Sequence, residues 1–189
     1  MLVVALGSCK NEDAIIGDRY FRNHEYNKAI VAYTDYLDLK PDNIKSLYNR
    51  GRAYEELKKY KEAFEDFSEV LKIDPNHVQA HLSVAADFYR KKLFKDAIYQ
   101  CDLVLKNTQN ANAYLLRARG RQKIGQVRDA MDDYNAAISL NSDLGEAYFY
   151  RGTLKIYSKK KSSACADFKI AESLNIQAAA KARKDYCNY

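Results

Sequence analysis

The sequence predicts an all-α protein made from one two-helix unit repeated in tandem, and three observations predict it. Breakers are scarce, with 2 Pro and 7 Gly in 189 residues, too few for the many tight turns of a multi-stranded β fold. Both prolines sit in the same setting, Lys40-Pro41-Asp42-Asn43 and Asp74-Pro75-Asn76-His77, 34 residues apart. Small and aromatic residues recur at that period. Ala29, Ala63, Ala97, Ala130 and Ala164 are spaced 34, 34, 33 and 34. Twelve residues before them stand Gly17, Gly51, Ala85, Ala118 and Gly152, and four after them Tyr33, Phe67, Cys101, Tyr134 and Phe168. Self-similarity at this period marks a helical repeat in which each unit buries its apolar face on the next.

The elements follow in order. The first unit, residues 10–43, carries Gly17 and Tyr20 on its first helix and Ala29 and Tyr33 on its second, with Tyr36 where later units have Val or Ala. In the second unit, 44–77, Leu47, Gly51 and Tyr54 mark one face at spacings of four and three, which is helical periodicity. Lys58-Lys59-Tyr60 makes a turn, and Ala63, Phe67 and Val70 mark a second helix. Pro75 ends that helix, and Asn76 is expected to cap the next. The third unit, 78–110, has Cys101 at the aromatic position and closes on Asn107-Thr108-Gln109-Asn110 without a proline. The fourth, 111–144, places Arg121 where an aromatic is usual, and the fifth, 145–178, turns at Lys159-Lys160-Lys161. A solenoid's last unit leaves an apolar face bare, and the Ala-rich stretch 176–187 suits a capping helix. About eleven helices are expected in all.

Composition narrows the function classes. With 47% hydrophobic and 30% charged residues the chain can bury a core,. A mean hydropathy of −0.55 and the lack of any apolar run near ~18–20 residues exclude a transmembrane helix bundle.

The series Leu47, Gly51, Tyr54, Ala63, Phe67, Val70 and Pro75 resembles the tetratricopeptide repeat, with Leu47 where that family favours Trp. The resemblance covers residues 10–178 in five units. It implies a right-handed superhelical solenoid with no catalytic activity, holding a protein or extended peptide against the first helices. The family's groove positions fall on Asp18 and Arg22, then Lys45, Tyr48, Arg52, Glu55 and Glu56, then Leu82, Tyr89 and Arg90. Asn112, Leu115, Arg119 and Lys123 follow in the fourth unit, and Glu146, Phe149, Ile156 and Tyr157 in the fifth. Basic and aromatic side chains alternate there, which suits a segment of some acidic character. Six basic and four acidic side chains leave these positions a net of only +2, so an ordinary solvated helix face is the competing reading. The carboxylate clamp of chaperone adaptors is absent. Asn49 matches one of its positions, but Ala14, Asp18, Gln79 and Ser83 occupy the flanking ones. The ending from Ser163 to Cys187 resembles the terminal repeats of Sel1-like proteins.

Met1 to Cys9 is apolar and turns abruptly polar at Lys10-Asn11-Glu12-Asp13. Leu6-Gly7-Ser8-Cys9 resembles a bacterial lipobox, which implies lipidation of Cys9 and, with Lys10 and not Asp next, an outer-membrane place in the bacterial envelope. No basic residue precedes the short apolar stretch, so a signal peptide of this kind would start upstream of Met1. The competing reading is an apolar strip packed on the first repeat of a cytoplasmic adaptor. Cys165 and Cys187 lie 10 and 12 residues from the turn at Asn175 on antiparallel helices, a mismatch of about 3 Å at the helical rise. A disulfide between them is therefore geometrically open, and would be expected in an oxidising compartment. Cys101 is expected to be a buried free thiol.

Little else reads as chemistry. His77 and His81 are four apart, but no third ligand stands at a plausible spacing. Phosphate loops and nucleophile elbows are missing, and the Asp and Glu residues fall mostly at positions expected to face solvent. No cofactor, metal, small-molecule substrate or catalytic residue is expected. A pI near 9.0 meets the charge criterion for nucleic-acid binding, but no nucleic-acid motif accompanies it. The expected role is a non-catalytic interaction scaffold, with a regulatory subunit of an enzyme complex as the alternative.

Overall fold

A repeated turn organises the chain. In the computed structural model, which describes residues 12–187, first helices alternate with second helices. The first helices are α1 (Glu12–Arg22), α3 (Ile44–Glu56), α5 (Val78–Arg90), α7 (Ala111–Lys123) and α9 (Gly145–Tyr157). The second helices are α2 (Tyr26–Leu39), α4 (Tyr60–Ile73), α6 (Phe94–Asn107), α8 (Val127–Leu140) and α10 (Lys161–Ser173), and α11 (Gln177–Cys187) closes the array. There is no strand among the described residues, so the fold class is all-α. The expected lipidation site, Cys9, lies outside the described residues.

Each first helix ends the same way. The Lys59 N–H donates to the Tyr54 carbonyl at 2.9 Å and the Lys58 N–H to Glu55 at 2.8 Å, the Schellman pair that satisfies otherwise orphaned carbonyls. The residue that makes this turn is left-handed at all five sites: His24, Lys58, Lys92, Gly125 and Lys159, with φ between 59° and 83°. Only Gly125 adopts that conformation without steric cost. Side-chain caps start α3 and α7, Asn43 accepting from Ser46 N at 2.9 Å and Asn110 from Ala113 N at 3.0 Å, whereas α9 has Leu144 there and no side-chain cap. At α5 the cap is His77, whose Nδ1 accepts from Ala80 N at 3.1 Å. The sequence expectation of Asn76 was wrong by one residue, because Asn76 instead donates its N–H to Asp74 Oδ1 within the turn.

The chain divides inside α5, after Asp87, into two compact units. In the first, α1 packs on α2, α2 on α3 and α3 on α4. Buried Tyr33 and Phe67 lie against glycine backbone. A Cβ on Gly51 would sit 2.7 Å from the Phe67 ring, so the small residue at this position is what lets the ring pack so close. In the second unit the packing runs in sequence from α6 to α11. One core there joins Ala118, Ala130, Tyr134, Ala137, Ala147 and Leu154. Leu115 belongs to that core at 6% exposure. It is therefore not a groove residue, contrary to the family mapping, because the turn of α7 aims it at the neighbouring helices. At the end of the array α11 lies on α10 and α9, with Ala182 joining Ala164 and Phe168. Cys165 and Cys187 are bonded there, with Cα atoms 5.7 Å apart, and Arg183 pairs with Glu172.

Four carboxylates expected at the surface are inside, Asp87 among them at 4% exposure. Asp66, Asp133 and Asp167 are 3–6% exposed. Each accepts a two-bond fork from the arginine sixteen residues earlier: Arg50 at 2.7 and 2.9 Å, Arg117 and Arg151 at 2.7 and 3.0 Å. The third arginine nitrogen reaches back to the preceding second helix, to Thr34, Asp102 and Asn135 respectively. Arg121, which the sequence showed only as a missing aromatic, donates to Asp133 at 2.8 Å, and its counterpart Lys155 pairs with Asp167 at 2.7 Å. A second cation thus replaces the ring. The first unit carries Ile16 and Ala32 at the two positions of the pair.

Candidate functional site

The first-helix residues fall into two clusters, one in each compact unit. In the first unit Asp18 is the hub. Its carboxylate accepts from Tyr33 Oη at 2.7 Å, Lys45 Nζ at 2.5 Å and Asn49 Nδ2 at 2.9 Å. Burial alone would raise its pKa, but these bonds together outweigh burial and hold the carboxyl below the usual carboxylate range,. Burial, with the bond to Asp18, keeps the Tyr33 phenol protonated well above its ordinary value. A concavity of about 360 Å³ opens beside the hub, lined by Ile15, Phe21 and Arg22 as well as Asp18, Tyr33 and Asn49. Lys45 is thus spent on Asp18. Arg52 lies 5.8 Å from the Phe21 ring centre and 3.9–4.0 Å from Glu55 and Glu56. Tyr48 packs between Phe67 and His77, and Leu82 is half-buried.

The second cluster draws on the last turn of α5 together with α7 and α9. Tyr89, Arg119 and Lys123, all expected groove residues, come together with Gln122, Tyr150 and Thr153 around a concavity of about 260 Å³. The Arg119 guanidinium lies 4.7 Å from the Tyr89 ring centre and 4.6 Å from that of Tyr150. Both rings are braced. Tyr89 meets Phe94 edge-on at 5.3 Å, and Tyr150 stacks on the fully buried Tyr134, whose hydroxyl donates to Gln122 Oε1 at 2.7 Å. Burial pushes the Tyr150 phenol upward, so it remains a donor at neutral pH. Of the other expected groove residues, Asn112 and Tyr157 are exposed, Tyr157 at 80%. Phe149 and Ile156 turn towards the Phe168 core, and Arg22 and Arg90 are exposed on separate helices.

The sequence missed Gln122, Tyr150 and Thr153. Tyr150 follows a groove position directly, and which of Phe149 and Tyr150 faces out is decided by packing. Among the described residues no group of three or more His, Cys, Asp or Glu is placed to hold a metal ion. His81 Nε2 lies 2.9 Å from the Pro75 carbonyl, and His77 is the α5 cap, so both histidines serve the turn. The Cys101 thiol is buried and its pKa is pushed up to about 12, which leaves it unreactive at neutral pH. No helix among the described residues is long and apolar enough to cross a membrane.

Comparison with known proteins agrees with this architecture. The family model for the tetratricopeptide repeat matches residues 44–77, the second helix pair from the start of α3 to the α5 cap. The chain has the fold of a tetratricopeptide repeat solenoid, and its second unit matches that family's model. It is 34% identical to human tetratricopeptide repeat protein 6 over 160 residues, covering 82% of this chain and 31% of that protein. It is 26% identical to the chicken DnaJ homolog subfamily C member 3 over 183 residues, 82% of this chain and 36% of that one. The chain thus spans about a third of the length of these relatives. In fold it is similar to MamA from Desulfovibrio magneticus, with a TM-score of 0.79 at 22% identity over 90% of this chain and 97% of that one. It is also similar to the type IV pilus biogenesis factor PilW, with a TM-score of 0.78 at 20% identity over 89% and 78% of the two chains.

Proposed function

We propose that this tetratricopeptide protein is a non-catalytic scaffold that holds a protein segment on its first-helix face while tethered to a bacterial envelope through Cys9. The observation that carries the binding reading is the braced concavity of Tyr89, Arg119, Lys123 and Tyr150. There aromatic area and directional donors stand together, the combination that dominates binding energy in protein interfaces. The tether rests on the lipobox order of Leu6-Gly7-Ser8-Cys9. A lipoprotein cysteine carries more than one acyl chain, enough for stable anchoring. The Cys165–Cys187 bond suits the oxidising side of that envelope.

Two experiments test this. A photo-crosslinking residue at Asn112 or Tyr157, on first helices, should trap a partner in the cell that makes the protein, whereas one at Tyr99 or Lys169, on second helices, should not; the reverse pattern defeats the face assignment. Labelled palmitate should enter the protein expressed with its natural upstream sequence and be lost in Cys9→Ala. Label retained by the variant, or absent from both, removes the tether and favours the cytoplasmic adaptor.

A further inference from the structure

We propose that the concavity between Tyr89, Arg119, Lys123 and Tyr150 is a subsite for one acidic side chain, a Glu or Asp within a partner segment. The proposal rests on the first-helix face being the binding face, and gives that face a chemical preference.

Four observations lead there. The Arg119 guanidinium carbon lies over two tyrosine rings, 4.7 Å from the centre of Tyr89 and 4.6 Å from that of Tyr150. A guanidinium stacked in this way can add a strong partner only at its edge, where the N–H groups lie in plane and match a carboxylate. At that edge the Tyr150 hydroxyl is one acceptor, and Nε and Nη1 have donor capacity to spare. Among the described residues Arg119 Nε is buried with no hydrogen-bond partner, and the carboxylate paired with this side chain, Glu146, stands 3.9 Å from Nη1, beyond hydrogen-bond reach. Arg50, Arg117 and Arg151 show what this protein does with a structural arginine: each has two bonds of 2.7–3.0 Å to a buried Asp. Among the described residues Arg119 has no such carboxylate fork.

The surroundings select the ligand. Lys123, one helical turn on, lines the same space and is exposed, so two cations face it against the single offset Glu146. About 260 Å³ accommodates one side chain and its flanking backbone. The tyrosine walls offer apolar contact to the methylenes that carry a carboxylate. The Tyr134–Gln122 and Tyr150–Tyr134 contacts hold the walls in place before any ligand arrives, which lowers the ordering cost of binding. A free chain terminus fits less well, because only Asn49 matches the carboxylate clamp of chaperone adaptors, with Ala14 and Asp18 in place of its Lys and Asn and Gln79 and Ser83 in place of its Lys and Arg.

The test uses the full chain and three short peptides, with nuclear magnetic resonance read at the Arg119 Nε–Hε group and the Tyr89 and Tyr150 rings. The first peptide is acetylated and amidated with one central Glu between Ala and Leu residues. The second has Gln in place of Glu. The third has no Glu and a free C-terminal carboxylate. The Glu peptide should saturate shifts at Arg119 at millimolar concentration. Its binding should be about tenfold or more tighter than that of the Gln peptide, as expected for a hydrogen bond to a charged group, and should weaken in high salt. Arg119→Gln should abolish the difference between the two peptides, and Arg119→Lys should restore only part of it. The peptide exchange needs no protein variant, so the test stands even if a variant unfolds. Equal binding of Glu and Gln peptides on this face overturns the acidic subsite and leaves the scaffold reading intact, as does a preference for the free terminus. The absence of any shift with all three peptides overturns the subsite, and partners crosslinked only from second helices overturn the binding face as well.

Discussion

Replacing Asp66 by Ala removes a carboxylate whose side chain is 8% exposed and which holds Arg50 through bonds of 2.7 and 2.9 Å. What remains is a guanidinium 19% exposed, with one bond of 3.1 Å to Thr34. Stranding one member of a buried pair typically costs about 3–5 kcal/mol. Arg50 retains some solvent and one acceptor, so about 3 kcal/mol is expected, equivalent to a fall in Tm of roughly 6–12 °C for a chain of this size. The pair as a whole contributes far less. Burial raises the Asp66 carboxyl above the usual range, and the Arg50 hydrogen bonds offset this only in part. The first unit shows an apolar solution at the same two positions, Ile16 and Ala32. The double variant Arg50→Ile/Asp66→Ala should therefore recover to within about 1 kcal/mol of the parent. Urea and thermal unfolding followed by far-ultraviolet circular dichroism, with a nearest-neighbour treatment suited to a repeat array, read both numbers. If Asp66→Ala costs less than about 1 kcal/mol, or the double variant is as unstable as the single, the account of the buried pair is wrong.

Three further outcomes are expected. Gly51→Ala places a methyl 2.7 Å from the Phe67 ring and should destabilise by about 1–3 kcal/mol through overpacking; a neutral effect in thermal melts would show that the ring can move aside. Asp18→Asn should lower Tm at neutral pH, and the deficit should shrink as pH falls. The folded carboxyl titrates below its unfolded value, so the stability it contributes is present above the unfolded pKa and lost as pH drops through the folded one; a deficit that is flat between neutral and strongly acidic pH contradicts this. Cys187→Ser opens a crosslink spanning 22 residues and should cost about 3 kcal/mol in the chain-entropy picture. Hydrogen exchange should then speed up in α11 and α10 first, and faster exchange confined to α1–α4 would contradict local capping.

The sequence determined the repeating part of this protein. Residues that recur at 34 positions, such as Gly17, Gly51 and Gly152 against Tyr33, Phe67 and Phe168, recur because one packing problem is solved in each unit, so periodicity alone reveals helices and faces. The hairpin turns at Lys58 and Lys159 were legible as turns but not as left-handed residues, since Lys has no preference for that conformation, and the matching turn at Lys92 carried no signal of its own. The pairing of Arg50, Arg117 and Arg151 with Asp66, Asp133 and Asp167 was written at a constant spacing of sixteen. Charge usually signals solvent, however, and only the packed helices reveal that these carboxylates face inward. Leu115 and Phe149 went the other way, their apolar side chains drawn into the core from positions mapped to the groove. What only the tertiary structure decided is the company each non-repeating residue keeps: Asp18 taking up Lys45, and Tyr89 and Tyr150 closing on Arg119. The physical reason is that burial and hydrogen-bond partnership depend on side chains brought together from different helices, and one-dimensional spacing does not contain that distance.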